Sequence, residues 1–305
     1  MAGETMASKD LLDIRGLIKQ EYGEQVLESC MVSTKVQRAS SLRINTLLSD
    51  ENEVISFMEE KGISYKRPEW NPEGLYFDAS CESEIRSSGL YAEGKIYFQS
   101  LSSMMPVIIM DPKEGESILD MCAAPGGKTC QIAAATANKA QITACEQQFK
   151  RAERLKYNLS KQGVKCAFVM NTDARKLDDL FRFDRILLDA PCSGTGTFTS
   201  EEEFDKHRKD FFDRLLDTQR KLMDKALKLL KPGGILVYST CSILKEENED
   251  NVGRALKKSD IELLPIDTKR FGDVPLLPCS IEGTLTLCPD GRYEGFFVAA
   301  LRKKI

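Results

Sequence analysis

From about residue 96 onward, short apolar runs alternate with stretches in which apolar side chains recur every three to four positions. The runs SILDMCA, QITACE, CAFVMNTDA, DRILLDAP and ILVYSTCS read as strands, and the periodic stretches predict helices over 128–137, 147–162 and 211–230. Strands that pair in parallel need a crossover between them, and a helix supplies it. The alternation therefore predicts an α/β fold: a mostly parallel, doubly wound sheet with helices on both faces. The first ninety residues have another pattern. Leu11, Leu12, Ile14, Leu17 and Ile18 fall at helical spacing and predict a helix over 9–29. LRINTL (42–47) alternates like a strand, 51–62 reads as a helix ended at Gly62, and 63–66 and 75–77 read as short strands around a Pro-rich turn. The segment SSGLYAEGK breaks the pattern near 88–95. Two domains are expected, a small helical and α+β module over 1–92 and the doubly wound domain over 93–305, with no internal repeat.

Composition narrows the class. With 305 residues, 42% hydrophobic and 30% charged, the chain can bury a sizeable core and is neither disordered nor fibrous. No apolar run approaches the ~20 residues of a membrane span, and the N-terminus lacks a basic start followed by an apolar stretch, so a cytoplasmic location is expected. None of the ten cysteines forms a C-x-x-C pair, and His207 is the only histidine, so no metal centre is expected. His207 itself reads as a solvated residue in a charged helix. The net charge of −4 is unevenly placed. Residues 1–90 carry ten Lys and Arg against sixteen Asp and Glu, and the remainder is slightly basic. The total therefore neither supports nor excludes a nucleic-acid partner.

In a doubly wound sheet ligands bind at the carboxyl ends of the strands, so the strand ends carry the chemistry. The first end is Asp120-Met121-Cys122-Ala123-Ala124-Pro125-Gly126-Gly127-Lys128, a small-residue turn opening a helix. Glycines there let backbone approach a ligand, and the helix start offers N–H groups. It is neither G-x-G-x-x-G nor a P-loop. Glu146 closes the second strand nineteen positions after Gly127, where an acidic residue can accept hydrogen bonds from a ribose diol. Asp173, at the third end, can accept from an adenine amino group; taken alone it reads as an N-cap. Together these ends point to an adenosine-containing cofactor.

The fourth end is Asp189-Ala190-Pro191-Cys192-Ser193-Gly194 and the fifth Ser239-Thr240-Cys241-Ser242. If these strands are neighbours, two thiols meet at the ligand face beside a carboxylate. Cytosine carbon 5 is a poor nucleophile until a thiolate adds at carbon 6 and makes it enamine-like. Asp189 can then stabilise the nitrogen 3 and amine edge, and a second acid/base group helps remove the C5 proton. The pattern points to pyrimidine C5 methylation. Position alone does not say which cysteine attacks.

DMCAAPGGKT, LLDAPCSGTG and VYSTCSILKEENE, in this order, resemble the signatures of the Sun/nucleolar-protein (Fmu-type) family of S-adenosylmethionine-dependent RNA cytosine-C5 methyltransferases. Arg43-x-Asn45-Thr46, GKIYFQSLSSMMP and the closing GTLTLCP…GFFVAALRK also resemble family elements, so the likeness covers most of the chain. The resemblance implies a class I, Rossmann-like methyltransferase domain with a small RNA-recognition-like N-terminal module. It implies that Cys122, Ala123, Ala124, Pro125, Gly126, Gly127 and Lys128 line the methionine end of S-adenosylmethionine. Glu146 would hold the ribose, Asp173 would contact the adenine, and Asp189 would lie between cofactor and cytosine. Cys241 is implied as the nucleophile, Cys192 as the thiol that assists resolution of the adduct, and Lys128 as a residue facing the target base. The implied product is 5-methylcytosine in RNA, ribosomal before transfer RNA, made by a monomer without a metal.

Three other activities fit less well. A nicotinamide oxidoreductase lacks its glycine fingerprint, an adenine-N6 enzyme would want an aromatic where Cys192 stands, and DNA cytosine methylation leaves the second thiol unused. A non-catalytic RNA-binding assembly factor is the remaining alternative. Because residues 1–90 are acidic, the RNA path is expected along Lys and Arg near Arg43 and at 206–209, with 201–217 as a substrate-gating helix or a solvated amphipathic one.

Overall fold

A computed structural model describes residues 11–305. The chain opens with two helices, α1 (Ile14–Tyr22) and α2 (Glu24–Ser33), where one was expected over 9–29; residues 9 and 10 lie outside the described part. Gly23, at φ +85°, makes the break. Such a φ suits glycine and ends the first helix, while Glu24 restarts the second with a negative charge in its first turn. The apolar faces of both helices pack on Phe198, Phe204, Phe212, Ile243 and Leu244.

Next come β1 (Ser40–Ile44), α3 (Glu51–Glu60), β2 (Tyr65–Lys66), β3 (Gly74–Phe77), the short helices α4 (Glu82–Arg86) and α5 (Gly89–Ala92), and β4 (Ile96–Phe98). The four strands form an antiparallel sheet in the order β2-β3-β1-β4, so its edge strand lies beyond residue 92. Leu42, Ile44, Val54, Met58, Leu75, Ile85 and Ile96 close a core of their own beneath it. Asn45 fastens this unit to the doubly wound part, its Nδ2 donating to Gly94 O (2.8 Å) and to Gln162 O (2.9 Å). Arg43 is fully buried, and neither Nη1 nor Nη2 has a partner. Its guanidinium therefore forms no part of an exposed RNA path.

The doubly wound part contains α6 (Leu101–Met110), β5 (Ser117–Asp120), α7 (Gly127–Ala135), β6 (Gln141–Cys145), α8 (Phe149–Lys161), β7 (Ala167–Met170), β8 (Phe183–Asp189), α9 (Lys209–Leu229), β9 (Leu230–Thr240), α10 (Glu249–Leu256), β10 (Ile261–Leu264), β11 (Leu276–Leu277), β12 (Leu285–Leu287) and β13 (Phe296–Lys303). The strand order is β7-β6-β5-β8-β9-β13-β12-β11, with β10 on β13. Strands β5 to β9 run parallel, and β13 joins β9 antiparallel. Chain order reverses between β5 and β8, which opens a crevice at their carboxyl ends. Helix α6 carries Leu101, Met104, Met105, Val107 and Met110, all nearly or fully buried, and packs against both the sheet and α7. Each such side chain contributes about 1.5–3 kcal/mol of burial. The expected helix over 201–217 is two pieces. A 3₁₀ turn, Glu201–Asp205, capped reciprocally by Ser200 and Glu203, precedes α9.

Candidate active site

Each predicted strand end arrives at the crevice. After β5 the turn stays tied to the sheet, Met121 N donating to Leu187 O and Ala123 N to Cys145 O. Helix α8 grips it from the other side, with Arg151 Nη2 on Ala124 O (3.0 Å) and Asn158 Nδ2 on Pro125 O (2.7 Å). The Ala124–Pro125 peptide is cis, and Gly126 caps α7 at φ +113°, a conformation that L side chains rarely adopt. No side chain caps α7, which leaves its first N–H groups to solvent or a ligand.

A cavity of about 210 Å³ opens over these ends, lined among others by Cys122, Ala124, Glu146, Asp173, Asp189, Cys192 and Cys241. Of the other predicted residues, Ala123, Pro125, Gly126 and Gly127 shape the turn behind the wall. Lys128 stands behind Asp189, its Nζ 2.8 Å from Asp189 Oδ2 and 2.6 Å from Ser103 Oγ. Ser239 Oγ donates to the other Asp189 oxygen at 2.7 Å, so the carboxylate is held at both ends. Glu146 is nearly buried; Gln148 N donates to its Oε1, and Arg151 lies 3.3 Å from Oε2. Asp173 lines the cavity and is also the N-cap of the turn Ala174–Lys176. The Arg175 guanidinium grips its carboxyl and holds it below the usual carboxylate range.

The two thiols meet. Because β8 and β9 are hydrogen-bonded neighbours, Cys192 Sγ and Cys241 Sγ lie 3.1 Å apart, both as free cysteines. That is hydrogen-bond contact, well beyond the ~2.05 Å of a disulfide. The hydrogen bond with Cys241, reinforced by burial, pushes the Cys192 thiol well above its ordinary range. Burial does the same to Cys122.

Three supporting residues gave no clear sign of their role in the sequence. Asp120 is buried with Oδ1 unpartnered while Thr129 holds Oδ2, and burial raises its carboxyl to about 6. In the sequence it stands only at the start of a motif. Glu247, fully buried, accepts from Ser193 N (2.8 Å), Ser193 Oγ (2.6 Å) and Gln219 Nε2 (2.9 Å), clamping the loop that bears Cys192. Its place in KEENE looks like surface charge, and no spacing signals burial. His207 is not a solvated helix residue. Its Nε2 meets Ser193 O at 3.0 Å and its Nδ1 meets Glu203 O at 3.1 Å.

Residues 107–302 match the family model "16S rRNA methyltransferase RsmB/F". The chain belongs to this family. It is 35% identical over 272 residues to ribosomal RNA small subunit methyltransferase F of Vibrio parahaemolyticus, a match covering 86% of this chain and 56% of that protein. The human 28S rRNA (cytosine(4447)-C(5))-methyltransferase is 34% identical over 288 residues, covering 89% of this chain and 35% of that one. The chain thus spans little more than half the length of the first of these relatives. The crystal structure of NSun6 from Pyrococcus horikoshii with SFG superposes with a TM-score of 0.83 at 25% identity, covering 95% of this chain and 97% of that one. Membership of the RsmB/F family fits the motifs at the β5, β8 and β9 ends, and the sheet is that of a class I methyltransferase. Among the described residues no group of three or more His, Cys, Asp or Glu is placed to hold a metal ion, and no helix is long and apolar enough to cross a membrane.

Proposed function

We propose that the chain transfers a methyl group to carbon 5 of a cytidine in RNA, ribosomal RNA foremost, through a covalent adduct between Cys241 and cytosine carbon 6. The observation that carries this reading is the pair of free thiols 3.1 Å apart beside Asp189 in one cavity. When bound, S-adenosylmethionine supplies the activated methyl group. The donor set fits that cofactor. Glu146 presents a carboxylate for a ribose diol, Asp173 faces the same cavity, and the uncapped start of α7 leaves N–H groups for the methionine end, with Cys122, Ala123, Ala124, Pro125, Gly126, Gly127 and Lys128 around it.

The side chains divide the work. Cys241 adds to carbon 6, and the electron pair of the C5–C6 double bond moves to carbon 5. Asp189 accepts from the exocyclic amine while Lys128, 2.8 Å behind it, balances its charge. Carbon 5 takes the methyl group on that electron pair as the methyl leaves the cofactor's sulfur. A base then removes the C5 proton, the C5–C6 double bond re-forms and Cys241 departs as thiolate, a resolution that Cys192 assists. The assignment of Cys241 as nucleophile and Cys192 as its helper follows the family resemblance of their motifs, since either sulfur can donate in the contact between them.

The division into an RNA-recognition-like module over 1–92 and a methyltransferase domain over 93–305 is part of the proposal, as are a monomeric state and a cytoplasmic location. The core of the four-stranded sheet, which runs on to Ile96, supports a separate small unit in the first part of the chain, and the free thiols support the last. Labelled methyl transfer from S-adenosylmethionine into small-subunit ribosomal RNA and into transfer RNA, followed by nucleoside analysis, tests the whole. Label in 5-methylcytidine of the ribosomal fraction is the expected result. Cofactor binding without label in either RNA would overturn it.

A further inference from the structure

Phe211 sits in the first turn of α9 with 46% of its surface exposed, although its neighbours Phe204 and Phe212 are buried. It forms one wall of a hollow of about 520 Å³, lined otherwise by Lys206, His207, Arg208, Asp210 and Arg214. The Arg214 guanidinium carbon lies 6.0 Å from the ring centroid. The one carboxylate in the lining, Asp210, is bonded by Arg208 Nε at 2.9 Å and by Arg214 Nη1 at 3.0 Å. Three permanent cations thus surround an open ring, a combination suited to an anion that carries a π-face. The hollow also reaches the catalytic loop. Its His207 wall touches the carbonyl of Ser193, the residue after Cys192.

We propose that this hollow is a nucleotide subsite, in which the base next to the target cytidine stacks on Phe211 and its phosphate faces Lys206, Arg208 and Arg214. The inference rests on the proposed RNA substrate and adds a residue to its recognition. Extruding a cytidine towards the thiols leaves its neighbour without a stacking partner. An aromatic face restores that contact whatever the base, and nearby cations neutralise the backbone. Phe211 therefore supplies affinity at the flank of the site and takes no part in the chemistry.

The test is the affinity of the full chain for a fluorescein-labelled twelve-nucleotide single-stranded RNA, followed by anisotropy. Wild type is compared with Phe211→Ala, Phe211→Trp and the double change Lys206→Glu, Arg214→Glu, with S-adenosylmethionine affinity measured alongside. Phe211→Ala should weaken RNA binding roughly tenfold, equivalent to about 1.4 kcal/mol. Phe211→Trp should keep it within about twofold, and cofactor affinity should not change. The double change should flatten the slope of log K against log salt by about 0.7 per cation lost. Unchanged RNA affinity in Phe211→Ala overturns the proposal, and so does a loss of cofactor affinity along with RNA affinity. RNA binding that depends on Phe211 in a wild type without methyl transfer would keep the subsite and remove the enzymatic reading.

Discussion

At the scale of single residues the site depends on carboxylates whose surroundings differ sharply. Asp189 has Lys128 and Ser239 at its two ends, whereas Asp120 and Glu249 are buried with oxygens that nothing satisfies. Both Glu249 oxygens lack a partner, and burial, abetted by Glu21 and Asp250, raises its carboxyl to about 7 from the ordinary 4.5. A carboxyl with a raised folded-state pKa binds its proton more tightly folded than unfolded. Its stabilising contribution is complete below about pH 4.5 and is lost as pH rises towards about 7, on the order of 3 kcal/mol in all. Glu249→Gln removes this dependence. Thermal melts should therefore show the variant gaining on wild type between about pH 4.5 and about pH 7, and a constant difference in Tm would refute the assignment. Residues like these were illegible in the sequence. KEENED reads as solvated charge, and nothing in its spacing tells that Glu247 and Glu249 face inward while Lys245 does not.

Among the elements, those whose ends carry the chemistry were the most legible. Strand β5, its Gly-rich turn and α7 are read directly, because the turn must bring backbone to a ligand and only small residues allow it. Gly126→Ala tests that reasoning. At φ +113° an alanine is strained, and its Cβ would stand 3.0 Å from Leu155 Cδ1. The variant should lose about 1–3 kcal/mol of stability and bind S-adenosylmethionine more weakly by calorimetry. Unchanged values for both would mean that the turn tolerates a side chain. Helix α6 was missed for the opposite reason. Apart from Ser102 and Ser103 it is apolar, and it contains Pro106, so no polar face supplies a period, and only its burial against the sheet and α7 explains it. The single helix expected over 9–29 failed at Gly23, where one left-handed residue outweighs good periodicity on both sides.

For the whole molecule, the neighbouring of the fourth and fifth parallel strands, here β8 and β9, was the decisive expectation, because it alone turns two distant cysteines into a pair. The sequence places Cys192 and Cys241 forty-nine positions apart, and parallel pairing of β8 with β9 closes that gap to 3.1 Å. What could not be read is how the parts share residues. Helices α1 and α2 pack beside the catalytic loops, β4 completes the first sheet, and Arg43 is sealed between. These are tertiary choices that periodicity does not encode. One measurement decides whether the two thiols have different jobs. Wild type, Cys192→Ala and Cys241→Ala are incubated with S-adenosylmethionine and ribosomal RNA, then run on a denaturing gel. A slow-migrating protein–RNA adduct is expected in Cys192→Ala, and neither adduct nor methyl transfer in Cys241→Ala. An adduct that accumulates in Cys241→Ala instead would reverse the roles of the two thiols and contradict their assignment.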